Sequence, residues 1–184
     1  MQHKHSTTKL LRFSALVLAL LLMIDLTGCR GRRGGRARLR VPKRTQIAAA
    51  TKPLNNEDRI KVIEAARSYI GTPWVLGGVS KTGIDCSGLT LQSFRAAGKE
   101  LPRNSTLQSE AGVEIPIKQL YPGDLVFFTD RKGNSRITHV GLITEVPDGS
   151  TIKFIHTTNR LGVVENNLLQ PYWANLFVKG VRVN

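Results

Sequence analysis

The amino-acid sequence predicts an α+β domain in which helices come first and an antiparallel sheet follows. Apolar residues recur at helical spacing in the stretch that begins near residue 55, and Gly71 and Gly98 mark predicted helix ends. After Gly112, compact apolar runs alternate with turn sequences such as Pro147-Asp148-Gly149. No internal repeat with a period of about 20–50 residues is present, which excludes a solenoid.

The helices are predicted from their caps and their apolar spacing. The first begins at Asn55-Asn56-Glu57-Asp58, which supplies an N-cap and early acidic residues. Its apolar side is expected to contain Ile60, Ile63, Ala66 and Ile70. The second is predicted from Cys86 to Ala97. A short third helix is expected to pass through Gln108 and Glu110.

Five strands are predicted, at residues 124–129, 139–146, 151–157, 162–165 and 177–183. Alternate residues of a strand share a face. His156 therefore shares a face with Phe154, and we expect that face to point toward the helices. His139 shares a face with Gly141, which is expected to leave room for a helix terminus. Residues 71–85 contain four glycines and a proline and are predicted to form a loop.

The formal charge of +14 is concentrated at the N-terminus. Residues 1–54 carry 12 Lys/Arg and one acid, whereas residues 55–184 carry 15 Lys/Arg and 12 Asp/Glu, a balance of +3. A nucleic-acid-binding domain would need a basic face on the fold itself. The charge distribution therefore argues against a nucleic-acid partner.

Residues 1–28 are predicted to be a signal peptide. A basic segment precedes an apolar run from Phe13 to Ile24, which is too short to span a bilayer comfortably. Leu26-Thr27-Gly28-Cys29 resembles a bacterial lipobox, in which the signal is cut before the cysteine and lipid is attached to it. An ordinary secretory signal with an incidental cysteine is the alternative. Several acyl chains on Cys29 would give stable membrane attachment.

Residues 29–54 are predicted to be a basic, disordered linker between the lipid anchor and a domain at residues 55–184. Eight Lys/Arg and no acid lie between Arg30 and Arg44. The linker either attracts anionic lipids or acidic wall polymers, or is a solvated tether without a specific partner. By resemblance to Gram-negative lipoproteins, Arg30 after the anchor favours the outer membrane, facing the periplasm.

Cys86 is the candidate nucleophile. If lipid occupies Cys29, Cys86 is a single thiol in an exported domain and has no disulfide partner. The predicted helix N-terminus supplies partial positive charge and free N–H groups, which stabilise a thiolate and the oxyanion formed on its attack. A buried structural cysteine is the alternative, but Asp85, Ser87 and Gly88 are polar or small.

His139 and His156 are the candidate partners of the thiol, because a cysteine nucleophile needs a base. One histidine would be the base, and the other would hold its imidazole in the correct tautomer. A zinc site would need three or four ligands at suitable spacing, and Cys86, His139 and His156 contain no closely spaced pair. We therefore expect no metal and no cofactor.

The chain resembles the NlpC-type family of cell-wall cysteine peptidases over nearly all of residues 58–184. The resemblance is carried by motifs in the family's order, namely Gly71-Thr72-Pro73, Gly77-Gly78, Gly83-Ile84-Asp85-Cys86-Ser87-Gly88, Leu101-Pro102-Arg103, Gln108, Pro122-Gly123-Asp124-Leu125-Val126-Phe127-Phe128, His139-Val140-Gly141 and Phe154-Ile155-His156. It implies a papain-like core, with N-terminal helices packed on a C-terminal antiparallel sheet or small barrel.

The resemblance also implies functions for individual residues. Cys86 would be the nucleophile, His139 the base and His156 the orienting residue, and the enzyme would hydrolyse peptide bonds in peptidoglycan. A monomer is expected. Trp74 stands where many similar proteins have a tyrosine, and an indole donates a hydrogen bond but cannot accept one. Other candidates that would bind substrate or support the site are Asp85, Ser87, Arg103 and Gln108. The alternative for Asp85 and Ser87 is that they serve only the N-terminus of the helix, and the alternative for Arg103 and Gln108 is that they are surface residues.

Two other functions remain open from the sequence. The protein could be a weakly active or inactive peptidoglycan-binding lipoprotein of the same fold, which Trp74 and the basic linker would suit. The same thiol could also transfer an acyl group to an amine in place of water.

Overall fold

The computed structural model describes residues 54–184, and helices and strands are labelled here in chain order. The predicted signal peptide, the lipidation site at Cys29 and the linker up to residue 53 lie outside the described residues. Four α-helices are described, α1 at Asn56–Arg67, α2 at Cys86–Arg95, α3 at Ser105–Gln108 and α4 at Pro171–Leu176, together with a 3-10 turn at Ile117–Gln119. None of the helices within residues 54–184 has the length and apolarity to cross a membrane.

Helix α1 begins where the sequence predicts but buries a different side. The Asn55 side chain caps it by accepting a hydrogen bond from the Asp58 N–H at 2.8 Å. The buried residues are Val62, Ile63 and Ala66, whereas Ile60 and Ile70 are each 56% exposed. The predicted stripe through Ile60 and Ile70 is therefore wrong. The helix ends at Arg67, so helical spacing no longer applies at Ile70.

Within residues 54–184, eight strands form two sheets. They are β1 (Val79–Ser80), β2 (Gly83–Ile84), β3 (Gly112–Ile115), β4 (Leu125–Phe128), β5 (His139–Asp148), β6 (Thr151–Thr158), β7 (Gly162–Asn167) and β8 (Phe177–Val183). Strands β1 and β2 form a small hairpin within the predicted glycine-rich loop. The other six form one antiparallel sheet in the order β3-β8-β4-β5-β6-β7. The α+β prediction is confirmed, and the sheet is open, so the small-barrel alternative is wrong.

Two apolar cores lie on opposite faces of this sheet. Successive residues of β4 alternate between them, with Phe127 in one core and Phe128 in the other. The first core contains α1 and α2 side chains, such as Val62 and Leu89. The second is covered by the 3-10 turn and by α4, which contributes Trp173. The sheet is thus buried on both faces.

The second core corrects two expectations about the histidine strands. Phe154 and Ile152, which share a face with His156, belong to the second core, so this face points toward Trp173 and not toward α1 and α2. The space at Gly141 is also used differently. A Cβ on Gly141 would lie 2.6 Å from Cδ2 of Phe154, so the glycine makes room for that ring and not for a helix terminus.

Candidate active site

Cys86 is the first residue of α2, as the sequence predicts. Asp85 caps this helix by accepting a hydrogen bond from the Gly88 N–H at 2.7 Å. A Cβ on Gly88 would lie 2.3 Å from the Gly78 carbonyl oxygen, so the absent side chain lets the glycine-rich loop contact the first turn of α2. Cys86 is partly buried and packs against the first core. The thiol is therefore held at a helix N-terminus beneath this loop.

The carboxylate of Asp85 is occupied by protein groups. It accepts hydrogen bonds from the Gly77 N–H at 2.8 Å and from both terminal nitrogens of Arg103, at 3.0 and 2.7 Å. Arg103 also donates to the Ser87 hydroxyl at 2.9 Å, and that hydroxyl donates to Asp85 at 3.2 Å. These bonds to Arg103 and to the backbone N–H groups outweigh burial and lower the pKa of Asp85. Asp85, Ser87 and Arg103 thus form a connected cluster around the start of α2.

Gln108 is fully buried beneath α2. Its amide nitrogen donates to the carbonyl oxygens of Ser87 and Pro102, at 3.0 and 2.8 Å, and its oxygen accepts from Thr90 at 2.7 Å. Each polar atom of the side chain therefore has a protein partner. The structure places Gln108 in the support of the Cys86 helix rather than at an exposed surface.

Trp74 lies alongside β2. It forms a parallel bridge with Ile84, and the flanking Pro73 carbonyl accepts from the Ile84 N–H at 3.0 Å. Trp74 is partly buried. Because Ile84 comes two residues before Cys86, this pairing fixes the backbone of Trp74 beside the segment that leads into α2.

The two predicted histidines are in direct contact. His139 begins β5 and His156 lies in the adjacent strand β6, and His139 Nε2 is 3.0 Å from His156 Nδ1. This contact uses Nε2 of His139, so the other ring nitrogen, Nδ1, is available to a different partner. The backbone N–H of the next residue, Val140, is directed at the Cys86 thiol. The structure therefore brings the start of β5 to the N-terminus of α2.

Aromatic rings surround both histidines. His156 is fully buried, stacks on Phe154 with centroids 4.7 Å apart, and contacts the edge of Trp173 at 4.6 Å. Trp173 also stacks over His139, with centroids 6.1 Å apart. The sequence analysis missed Trp173 because α4 is only six residues long. The sequence feature that could have indicated Trp173 is the aromatic pair Tyr172-Trp173, which directly follows a proline.

Asn166 is a second residue that the sequence analysis missed. It lies on β7, one residue before the end of that strand, and its Oδ1 is 2.8 Å from Nε2 of His156. The predicted strand stopped at residue 165, so Asn166 was not placed next to a histidine. An Asn–Asn pair after an apolar strand carries little sequence signal for such a contact.

Burial favours the neutral forms of the reactive groups. It lowers the pKa of His139 to about 3, with a smaller contribution from His156. Burial also lowers the pKa of His156, although Asn166 and the Thr157 carbonyl oppose this. The pKa of the Cys86 thiol is raised by burial and, to a smaller extent, by the Asp85 charge, while the Val140 N–H favours the thiolate. Burial thus favours a neutral thiol at Cys86 and neutral imidazoles at His139 and His156.

The sequence was also compared with models of known protein families. The NlpC/P60 family model matches residues 71–182, which span the glycine-rich loop, α2 and both histidine strands. The chain belongs to the NlpC/P60 family. Among residues 54–184, no group of three or more His, Cys, Asp or Glu side chains is arranged to hold a metal ion.

Several relatives of this NlpC/P60 protein carry names that describe an activity. The probable endopeptidase NlpC of Escherichia coli is 34% identical over 131 residues, which cover 68% of this chain and 81% of the relative. The murein DD-endopeptidase/LD-carboxypeptidase MepS of Escherichia coli is 32% identical over 130 residues, covering 70% of this chain and 65% of the relative. Hydrolysis of peptides is thus the activity named among the relatives.

A solved structure supports the fold assignment. The NlpC/P60 family protein from Bacillus cereus is 29% identical to this chain and superposes with a TM-score of 0.61. The match covers 67% of this chain but 39% of the Bacillus cereus chain. The shared part is therefore the family domain, and the larger protein contains additional chain.

Proposed function

We propose that this NlpC/P60 protein is a peptidoglycan endopeptidase that hydrolyses peptide bonds in stem peptides or cross-bridges, with Cys86, His139 and His156 as its catalytic groups. The observation that carries the proposal is the 3.0 Å contact between His139 Nε2 and His156 Nδ1, next to the strand residue whose N–H faces Cys86. Relatives named as endopeptidases, one of them for murein, support the substrate class.

The proposed reaction is acyl transfer through the thiol. Nδ1 of His139 takes the Cys86 proton as the sulfur attacks the peptide carbonyl carbon. The backbone N–H groups at the start of α2 stabilise the oxyanion that forms. The imidazolium then gives its proton to the leaving amine, and an acyl-enzyme remains. A water molecule, deprotonated by His139, hydrolyses the acyl-enzyme and restores the thiol.

In this mechanism the backbone N–H of Val140 stabilises the thiolate. It favours the negatively charged sulfur, which burial alone would disfavour. The proton transfer to His139 is therefore opposed by burial of both groups and assisted by N–H groups from two elements, α2 and β5. Asp85, Arg103 and Gln108 would support this arrangement by holding the start of α2.

The proposal includes a location. Lipid on Cys29 would attach the mature chain to a membrane, and Arg30 favours the outer membrane, facing the periplasm. The basic linker would extend from this anchor to the domain and attract anionic lipids or wall polymers. Replacement of Cys29 by serine should release the protein from the membrane fraction. If the Cys29→Ser protein still incorporates labelled palmitate, lipidation at Cys29 is wrong.

Mass spectrometry of digested muropeptides tests the activity. The wild-type protein should release peptide fragments with new amine and carboxyl ends, whereas Cys86→Ala should release none. Ser80→Ala is a suitable matched control because Ser80 is exposed on the β1–β2 hairpin. Equal activity of wild type and Cys86→Ala would exclude the thiol mechanism. Amine acceptors added to the digestion separate hydrolysis from acyl transfer, because transfer links the acceptor to the product.

A wall-binding protein with weak or no catalysis is the second candidate function, and Trp74 is the observation that favours it. An indole cannot reproduce the hydrogen bonds of the phenol that many similar proteins place there. Binding to isolated sacculi without new amine ends would support this candidate. In that case Trp74→Tyr should create activity if the missing hydroxyl is the cause.

A further inference from the structure

A chain of three polar side chains crosses three neighbouring strands behind the candidate nucleophile. His139 on β5 contacts His156 on β6, and His156 contacts Asn166 on β7. The two contacts use different nitrogens of His156, with Nδ1 toward His139 and Nε2 toward Asn166. We propose that Asn166 is a positioning residue that sets the tautomers of both histidines and thereby leaves Nδ1 of His139 free to accept a proton. This proposal rests on the proposed function, in which His139 is the base.

The number of protons on the two rings limits their possible tautomers. A neutral imidazole carries one N–H and one lone pair, so each ring donates from one nitrogen and accepts at the other. Because burial lowers the pKa values of both histidines, both rings are neutral at pH 7. The contact between His139 and His156 therefore contains one proton, which belongs to one ring or the other. Its position decides whether His139 can act as a base.

The oxygen of Asn166 selects one of the two arrangements. An amide oxygen accepts, so Nε2 of His156 carries the proton and donates it to Asn166 at 2.8 Å. Nδ1 of His156 is then a lone pair and accepts from Nε2 of His139 at 3.0 Å. Nδ1 of His139 in turn has no proton. All the donors thus point in one direction, from β5 toward β7.

The carbonyl oxygen of Thr157 competes with this arrangement. It lies 3.2 Å from Nδ1 of His156 and would favour a proton on that nitrogen. His156 would then donate toward His139, whose own proton would move to Nδ1 and face the thiol. The Asn166 contact is shorter and opposes this tautomer. Asn166 is therefore needed because the backbone next to His156 favours the unproductive arrangement.

The end of β7 holds Asn166 at this position. Asn166 pairs with Phe154, the residue that stacks on His156. The next residue, Asn167, accepts hydrogen bonds from the N–H groups of Ile152 and Leu169, at 3.1 and 3.0 Å. The Leu168 N–H donates to the Ile152 carbonyl at 2.8 Å. The strand pairing fixes the backbone of Asn166, and the other bonds fix the two residues that follow it.

The choice of variant follows from what surrounds Asn166. The residue also lines an open polar cleft together with Lys153, Asn167 and Gln170. An alanine at position 166 would leave space for a water molecule, which can accept the same hydrogen bond. Asn166→Leu keeps the branched shape of the side chain, fills the position with an apolar group and cannot accept a hydrogen bond. Asn166→Asp keeps an acceptor oxygen and serves as the conservative variant.

Long-range ¹H–¹⁵N NMR of the full chain with ¹⁵N-labelled histidine tests the tautomers directly, because protonated and unprotonated ring nitrogens have different shifts. Spectra of His139→Gln and His156→Gln assign the two rings. In the wild type we expect an unprotonated Nδ1 on both rings. In Asn166→Leu we expect protonated Nδ1 to appear on both, while Asn166→Asp retains the wild-type pattern. The measurement needs no substrate, so it holds even if the proposed function fails.

Kinetics with a muropeptide substrate give a second readout. Asn166→Leu should lower kcat about tenfold or more with KM changed less than about twofold, since the residue acts through a histidine and not on bound substrate. Asn166→Asp should stay within about threefold of wild-type kcat, and its carboxylate should move the acid limb of kcat/KM to higher pH. Gln170→Leu is the matched control, because it removes an exposed amide from the same cleft, and the Gln170 side chain does not cap α4.

Three results would overturn the proposal. One is an unprotonated Nδ1 on both rings in Asn166→Leu, which would show that the backbone and aromatic rings set the tautomers without Asn166. The second is a protonated Nδ1 on His139 in the wild type. The third is a change of the tautomers in Gln170→Leu as large as in Asn166→Leu, which would assign the effect to the polarity of the cleft and not to Asn166.

Discussion

His139 Nε2 and His156 Nδ1 lie 3.0 Å apart on neighbouring antiparallel strands; Trp173 contacts both rings, Phe154 stacks on His156 and Phe128 lies beside His139. The aromatic rings exclude water from the two imidazoles, and this raises the free-energy cost of protonating either one. The same burial holds both imidazoles in fixed orientations. The chemistry proposed for Cys86 therefore depends on a base that is neutral at rest and has one free nitrogen.

The first prediction concerns the pH dependence of activity. The pKa of His139 is lowered to about 3 and that of Cys86 is raised above 9.0, so the active thiol–imidazole pair should persist between these values. We expect kcat/KM to have its acid limb below pH 6.5 and its alkaline limb above pH 9, because this ratio reports the free enzyme. An alkaline limb below pH 9 would instead indicate a resting thiolate–imidazolium pair, because that limb would then report loss of the imidazolium proton.

The second prediction concerns stability against pH. Below pH 6.5 the unfolded chain binds a proton at His139, whereas the folded protein does not until about pH 3. The unfolded state therefore holds more protons in this window, and the free energy of unfolding should fall as the pH falls. We expect a loss of about 2–4 kcal/mol by pH 4, measured by urea unfolding. His139→Gln should show a smaller loss, and an equal loss would contradict the assignment.

Much of the sheet could be predicted from the sequence. Turn residues bound its apolar runs, and β8 was placed at its observed limits, residues 177–183. Strand β7 was predicted two residues too short, because Asn166 and Asn167 have low strand propensity and are held there by pairing with Lys153 and Phe154. Short elements were missed altogether, including the β1–β2 hairpin and α4. Tertiary contacts decide such elements more than local propensity does.

The orientation of the histidines could not be predicted from alternation alone. Strand β6 has apolar residues on both faces, with Ile155 in the first core and Phe154 in the second. The alternation of side chains along the strand then shows which residues share a face, but it does not show which face packs against α1 and α2. Cys86 at a helix start was predictable from its small and polar neighbours. The contact of His156 with Asn166 was not, because it needs the register of β6 against β7.

The third prediction concerns Gly141→Ala. The added Cβ would lie 2.6 Å from Cδ2 of Phe154 and 3.1 Å from the Ile155 carbonyl oxygen, so the Phe154 ring must move. We expect a loss of about 1–3 kcal/mol in the free energy of unfolding, which is typical of overpacking. Because Phe154 stacks on His156, kcat should also fall at temperatures where the variant is folded.

Gly149→Ala is the control for this substitution, because a Cβ on Gly149 would meet no atom within 4 Å. It should leave both the urea midpoint and kcat unchanged. If Gly141→Ala lowers stability but not kcat, the position of Phe154 does not affect the histidine pair.

The fourth prediction concerns the buried carboxylate of Asp124. This residue is fully buried and accepts hydrogen bonds from Nε and Nη2 of Arg182, both at 2.8 Å, and from the Tyr121 N–H at 2.8 Å. Arg182→Met removes both charged donors and leaves the carboxylate with Arg59 at 3.8 Å as its remaining charged neighbour. We expect a loss of about 3–5 kcal/mol in the free energy of unfolding, measured by urea denaturation.

Arg95→Met is the matched control, since Arg95 pairs with Glu100 at 3.2 Å on the surface, where both side chains are more than half exposed. Solvent screens that pair, so its removal should leave the urea midpoint unchanged. The double variant Arg182→Met with Asp124→Leu should recover part of the loss, because no buried charge then remains without a partner. If Arg182→Met is as stable as Arg95→Met, the ion pair between Arg182 and Asp124 contributes little to the stability of the folded protein.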